Sequence, residues 1–436
     1  MTLQVNGNKS ARWVVNFNNG NVNNNDINNN ACVRAVRGGE CQCNEVVSFQ
    51  QIYDAWVKAR KGKKPSANQL HFDTRWSSGL LELQHSINDC SWQPKPSTCF
   101  IAARPKAREI HAPDFSDRVV HHWLVPQLEK LWQPAFIYDS YANQTGKGSH
   151  KAVERLQQFI RQAPKAFYLQ LDIHNFFNSI HRHTLWIQLK AKLVKSGESN
   201  QVMHATHALL KQHPLQQGVR YLCSDAERSI VPMHKRLENS APGCGLPIGN
   251  LSSQFFANVY LNELDQFIKH VLKAKRYLRY VDDFVLIHHD KAQLQSWQAQ
   301  IEQFIATRLR LKLKPDIKLR PLSDGIDFLG YVVRPTHTQT RRRVVTHFKE
   351  ALASFESQFV TSDAITATPE DIRHIRSVVA SYTGHIRQSN SSRLMGKILD
   401  RYPWISSVTV NRKFDYRLEG QLVEIKTNNH LREVRV

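Results

Sequence analysis

The chain has 436 residues, with 59 Lys+Arg against 37 Asp+Glu and a formal net charge of +22. That length suffices for two or three subdomains with large cores, and the excess of base produces a field that attracts polyanions rather than cations. Runs of about 18 apolar residues and a signal peptide are both missing, and seven cysteines, an odd number, argue against a disulfide framework. A cytoplasmic protein with free thiols and no membrane contact is expected.

Residues 1–45 read as an asparagine-rich leader. Residues 16–30 hold ten asparagines and no aliphatic periodicity, which predicts loop or disorder. Cys41-Gln42-Cys43 is followed by no second pair at zinc-finger spacing. Residues 50–100 carry helical patterns around Trp56, Trp76 and Trp92 and then a turn at Pro94 and Pro96. Two basic clusters, Arg60-Lys61-Gly62-Lys63-Lys64 and Arg341-Arg342-Arg343, suggest a polyanion footprint; each taken singly is more often a solvated face.

Phe167–Leu171 reads as a strand ending at Asp172. From Asn250 onward, Leu251, Phe255, Phe256, Val259, Tyr260, Leu264, Phe267, Ile268 and Val271 recur at helical spacing, with Asn250 or Ser252 as the cap. Tyr277–Val281 and Phe284–Ile287 then read as a hairpin whose turn carries Asp282 and Asp283. Two neighbouring acids at a hairpin tip are ordinarily a solvated loop. With Asp172 they become three acids at strand ends, a set able to hold two hard cations roughly 3.5–4 Å apart for phosphoryl transfer. Beyond Tyr331, helices are expected at about 347–360 and 370–390.

Several stretches, read in order, resemble the reverse transcriptases. Lys106-Ala107-Arg108-Glu109-Ile110 is similar to the motif that holds the incoming triphosphate, and Tyr138-Asp139-Ser140-Tyr141 with Gly146-Lys147-Gly148 to the template-side motif after it. Leu171-Asp172-Ile173-His174-Asn175-Phe176-Phe177 and Tyr280-Val281-Asp282-Asp283 resemble the catalytic motifs. Gly245–Gln254, Pro315-Asp316-Ile317-Lys318 and Phe328-Leu329-Gly330-Tyr331 follow in family order. The resemblance implies an α+β right-hand polymerase: fingers and palm over 46–335, the palm an antiparallel sheet with packed helices, a helical thumb over 336–405 and a basic tail over 406–436.

It further implies RNA-directed DNA synthesis with two Mg2+, Mn2+ being the alternative, held by Asp172, Asp282, Asp283 and the backbone carbonyl of Ile173. Lys106 and Arg108 would neutralise the triphosphate, arginine being suited to bidentate phosphate contact. Lys318 would protonate the pyrophosphate leaving group; an exposed charge in the run Lys312–Arg320 is the competing reading. Phe177 would lie under the sugar and select deoxynucleotides, while Phe176 packs. The implied partners are template RNA, cDNA, deoxynucleoside triphosphates and an accessory oligomeric basic protein.

One departure narrows the resemblance. Many bacterial members carry glutamine before the glycine and proline after the serine where this chain has Ile248-Gly249 and Ser253-Gln254. In this the chain resembles the reverse transcriptases of diversity-generating retroelements, which copy RNA with errors opposite adenines, as does Ala380-Ser381-Tyr382-Thr383-Gly384-His385. Isoleucine offers no amide contacts near the nascent pair. The leader, with Trp13–Asn25 and Val33–Arg37, resembles the end of the lectin-like proteins such elements diversify, which implies a template repeat overlapping the start of this reading frame; a low-complexity polar leader or a vestigial lectin fragment is the competing reading. A phage-defence reverse transcriptase is the alternative function.

Overall fold

The computed structural model describes residues 46–410, apart from 63, 104–105, 212–213 and 363, together with the strand Val423–Lys426. Of residues 1–45 it gives only the backbone of short strand segments, so the leader and most of the basic tail lie outside the described residues. Among the described residues no helix is long and apolar enough to cross a membrane.

The fold begins with three helices, α1 (Phe49–Arg60), α2 (Ala67–Asp73) and α3 (Trp76–Asn88). The first is opened by a reciprocal cap in which the Ser48 side chain accepts the Gln51 N–H and the Gln51 side chain accepts the Ser48 N–H. A small sheet follows: β1 (Ser97–Ala102) pairs antiparallel with β2 (Arg108–Ala112) and parallel with β4 (Val219–Tyr221). Between them in the chain lie the buried helix α4 (Phe115–Trp132), α5 (Ser149–Gln162) and β3 (Phe167–Asp172).

The long helix expected after Asn250 is α6 (Leu251–Gln266), which continues as one π-helical turn over Phe267–Val271. Asn250 occupies the cap position without a side-chain cap bond, and Ser252 is buried inside the helix. The cap therefore falls at Asn250 and not at Ser252, and it lacks the side-chain bond because the chain enters this helix packed on β2, not open to water.

β5 (Arg276–Tyr280), β6 (Asp283–His288), β3 and β7 (Lys318–Pro321) form an antiparallel sheet in that spatial order. Its side chains alternate between two cores. Leu169, Leu171, Tyr277, Phe284 and Leu286 pack with Phe255, Phe256 and Tyr260 of α6 and with Leu294, Trp297 and Ile301 of α7 (Lys291–Arg308). On the other face, Tyr168, Leu278, Val285 and Ile287 meet Val153, Leu156 and Phe159 of α5. Such alternation locks the register, since a slip of one residue would turn every apolar side chain to the wrong face.

A third core gathers Phe348, Leu352 and Phe355 of α8 (Arg342–Phe359) with Ile372, Ile375 and Val379 of α9 (Pro369–Arg387). These are the two helices expected beyond Tyr331. The first begins earlier than expected, at Arg342, because Arg341 takes the cap position and pairs with Asp327. The basic cluster there is therefore partly spent on an internal ion pair. The outcome is an α+β chain with an antiparallel sheet and a separate helical bundle.

Candidate active site

Asp172 ends β3 and Asp283 begins β6, and the two stand directly opposite each other in the antiparallel register. Asp282 precedes Asp283 in the turn, where its carbonyl accepts the Ile173 N–H at 3.3 Å. Val281, just before, has φ 55°, a left-handed conformation that a β-branched side chain rarely adopts. Surrounding structure must over-determine such a residue, and here Arg279 does so. Its wholly buried guanidinium donates to the Val281 carbonyl at 2.9 Å, to Ser140 Oγ at 3.1 Å and to Asn258 Oδ1 at 3.3 Å. It also grips Asp265 through two bonds of 2.8 and 2.6 Å, and Tyr277 donates to the same carboxylate at 2.6 Å.

The acids burden one another. Burial first, then repulsion from Asp172, pushes the Asp282 carboxyl up to about 6. Asp283 is pushed up to about 7 by burial, against the stabilising 3.1 Å bond from Gln170 Nε2, with Asp172 and Asp282 adding repulsion. Lys314 pairs with Asp172 through Oδ2, while Asp172 Oδ1 is buried with no partner. These three donors are hard oxygens with an unspent lone pair and excess negative charge, so they fit divalent cations. Among the described residues, the group of three His, Cys, Asp or Glu donors whose ligand atoms all lie within 4.8 Å is Cys99, Glu109 and His111 rather than this triad.

The raised carboxyls make a signed prediction. Both hold protons more tightly in the folded chain than in the unfolded one, where an aspartate titrates near 3.9, so stability should fall as pH rises from about 4 towards about 7. The melting temperature measured in chelator should decline over that window, and added Mg2+ should raise it more near neutral pH than in acid. If an Asp282→Asn, Asp283→Asn double variant keeps the same pH slope as the wild type, the slope has another source.

Cations face the acids. Lys106, two residues before β2, and Arg108, at its start, are exposed. The Lys106 amine is pushed down by partial burial and then by the nearby charges of Lys314, Arg343, Lys235 and Arg108. Cations converging this way form a seat for a polyanion. Lys318 lies on β7 opposite Gln170, half-buried, and its charge helps to hold Asp283 down. Arg343 belongs to the basic cluster expected to meet a polyanion, whereas Lys314 and Lys235 sit in basic stretches that resemble a solvated face and carry no signal of their own.

The loop before α6 docks on the same strand. The Ile248 carbonyl accepts the His111 N–H at 2.8 Å. Gly249 has φ +120°, and a Cβ there would come within 2.8 Å of Ile110 Cγ2 and 3.3 Å of the His111 carbonyl. Only glycine fits without movement. Ile248 is half-buried, Gln254 is exposed on the first turn of α6, and Ile173 is fully buried. Phe177 is half-buried, its carbonyl accepting the Leu246 N–H at 2.9 Å, whereas Phe176 lies in the main core.

Residues 93–333 match the reverse transcriptase (RNA-dependent DNA polymerase) family. Protein YkfC of Escherichia coli (strain K12) is 21% identical over 318 residues, covering 64% of this chain and 77% of that protein. The group II intron-encoded protein LtrA of Lactococcus lactis subsp. cremoris is 23% identical over 340 residues, 68% of this chain and 56% of LtrA. The chain thus spans about half the length of that relative. Among solved structures, telomerase from Candida tropicalis with a TWJ fragment of telomeric RNA aligns with 11% identity and a TM-score of 0.42, over 71% of this chain and 55% of that one. Because the family match covers more than half of the chain and contains all three acids, this protein belongs to the reverse transcriptases, the RNA-dependent DNA polymerases.

Proposed function

We propose that the chain copies a template RNA into cDNA by two-metal nucleotidyl transfer, with errors concentrated opposite adenine, in the service of targeted gene diversification. The observation that carries the chemistry is the pairing of Asp172 with Asp283 across adjacent strands, with Asp282 beside them in a fixed turn. Divalent cations held by Asp172, Asp282, Asp283 and the Ile173 carbonyl would supply activation of the primer hydroxyl and neutralisation of the α-phosphate. The spread of the triad beyond a single tight cluster suits two ions better than one.

The protein's own groups then divide the work. Lys106 and Arg108 orient the triphosphate of the incoming deoxynucleotide and offset its charge. Lys318 donates a proton to the departing pyrophosphate, while Lys314 keeps Asp172 aimed when no cation is present. The Phe177 ring excludes a ribose 2′-hydroxyl. Basic surface binds template RNA and cDNA through phosphate, a sequence-independent and salt-sensitive contact; an accessory oligomeric protein is the expected partner.

The diversification role is supported by Ile248. Its side chain stands at the loop held on β2 and presents no hydrogen bond, whereas one well-placed polar contact adds about 1–3 kcal/mol of base discrimination. Copying one primed RNA template with Mg2+ and all four deoxynucleotides should give cDNA with errors enriched opposite adenine. Ile248→Gln should lower those errors more than errors opposite other bases. Active enzymes with flat and equal error spectra would favour the phage-defence alternative.

A further inference from the structure

We infer that Cys99, Glu109 and His111, joined by Cys223, form a zinc site behind the strand that carries Arg108. All of the first three are buried, with relative exposures of 0%, 5% and 1%. Their ligand atoms lie within 4.8 Å of one another, and tetrahedral zinc with bonds of about 2.0–2.3 Å needs ligand atoms roughly 3.3–3.8 Å apart. His111 Nε2 is already 3.2 Å from Glu109 Oε2. Small side-chain adjustments would close the set.

Strand geometry gathers these residues. Cys99 on β1 stands opposite His111 on β2, and Glu109 lies two residues before His111 on the same face. Cys223 follows β4, with its sulfur 3.8 Å from the Cys99 carbonyl oxygen. Two adjacent strands therefore send three donors to one point, and the segment after β4 brings Cys223 beside Cys99 as the fourth ligand of the proposed site.

The independent sign of a missing ligand is His111. Nδ1 of this buried imidazole has no partner and Nε2 faces only the Glu109 carboxylate, and an unsatisfied buried polar group calls for an ion or water. Glu109 is oriented as ligating carboxylates are, accepting the Leu237 N–H at 2.8 Å. Arg228 does not displace a cation: it bonds Glu238 at 2.6 Å and approaches Glu109 only to 3.9 Å. Two thiols, an imidazole and a carboxylate select zinc over the harder cations that suit the acidic triad. Bound there, it would staple β2 to the segment after β4 and steady the strand on which Ile248 and Gly249 rest.

Full-length protein from zinc-supplemented culture should retain about one zinc per chain after desalting, measured by mass spectrometry of the metal. An Asp282→Asn, Asp283→Asn variant should keep it, and a Cys99→Ser, His111→Gln variant should lose it. Because the latter could fail to fold, metal-free wild type should also be titrated with Co2+. A thiolate-to-cobalt charge-transfer band with tetrahedral visible bands, erased by added zinc, is expected. Wild type without zinc and without that band, zinc retained by the Cys99→Ser, His111→Gln variant, or a Cys99–Cys223 disulfide in the native protein would each overturn the site.

Discussion

On the proposed metal-binding role, Asp282→Asn and Asp283→Asn should each slow nucleotide incorporation by at least about a thousandfold, since loss of such a contact would remove several kcal/mol of charge stabilisation and each 1.36 kcal/mol is a factor of ten. Asparagine preserves the size of the side chain and removes its charge, so the turn should survive. RNA affinity should stay the same or rise slightly, because binding comes from Lys and Arg contacts to phosphate and the change removes a repelling charge. Single-nucleotide incorporation on a primed RNA, beside filter binding of that RNA, separates the two. Near wild-type incorporation by either variant would take that residue out of the catalytic centre.

The largest stability effect should come from Asp265→Ala. Arg279 and Asp265 are both fully buried, and removing one partner of such a pair costs about 3–5 kcal/mol because the other charge is left uncompensated. Replacing both, as Asp265→Leu with Arg279→Met, should restore much of that stability, since well-packed apolar residues often substitute for a buried pair. Activity should not return with it, because the Val281 carbonyl would have lost the donor that holds the turn. Denaturant unfolding and incorporation rates measured on the single and double variants test both halves. A double variant with full activity would show that the turn keeps its shape unaided.

These two sets of residues differ in how plainly the sequence announces them. Asp172, Asp282 and Asp283 stand out because apolar runs with strand periodicity end at them, and the hairpin and the helix from Leu251 are visible for the same reason. Arg279 carries no such signal, since a charged side chain in a strand is normally solvated. Its burial depends on Asp265, placed at its side by an independent helix, and no local pattern encodes that meeting. Lys314 is hidden likewise within Lys312–Arg320. The position of the α6 cap was legible at Asn250, but its missing cap bond was not, because that depends on β2 packing nearby.

The sheet's spatial order also governs when this enzyme comes into being during synthesis. β3 is central, yet its two neighbours, β6 and β7, are encoded far downstream of it. A nascent chain that has only just released Asp172 from the ribosome has a strand with both edges bare, open to pairing with other chains. Closing so long a loop is a slow, non-local step. Copying competence therefore cannot build up gradually. It should appear only once residues 283–321 have emerged and β3 has gained both of its neighbours.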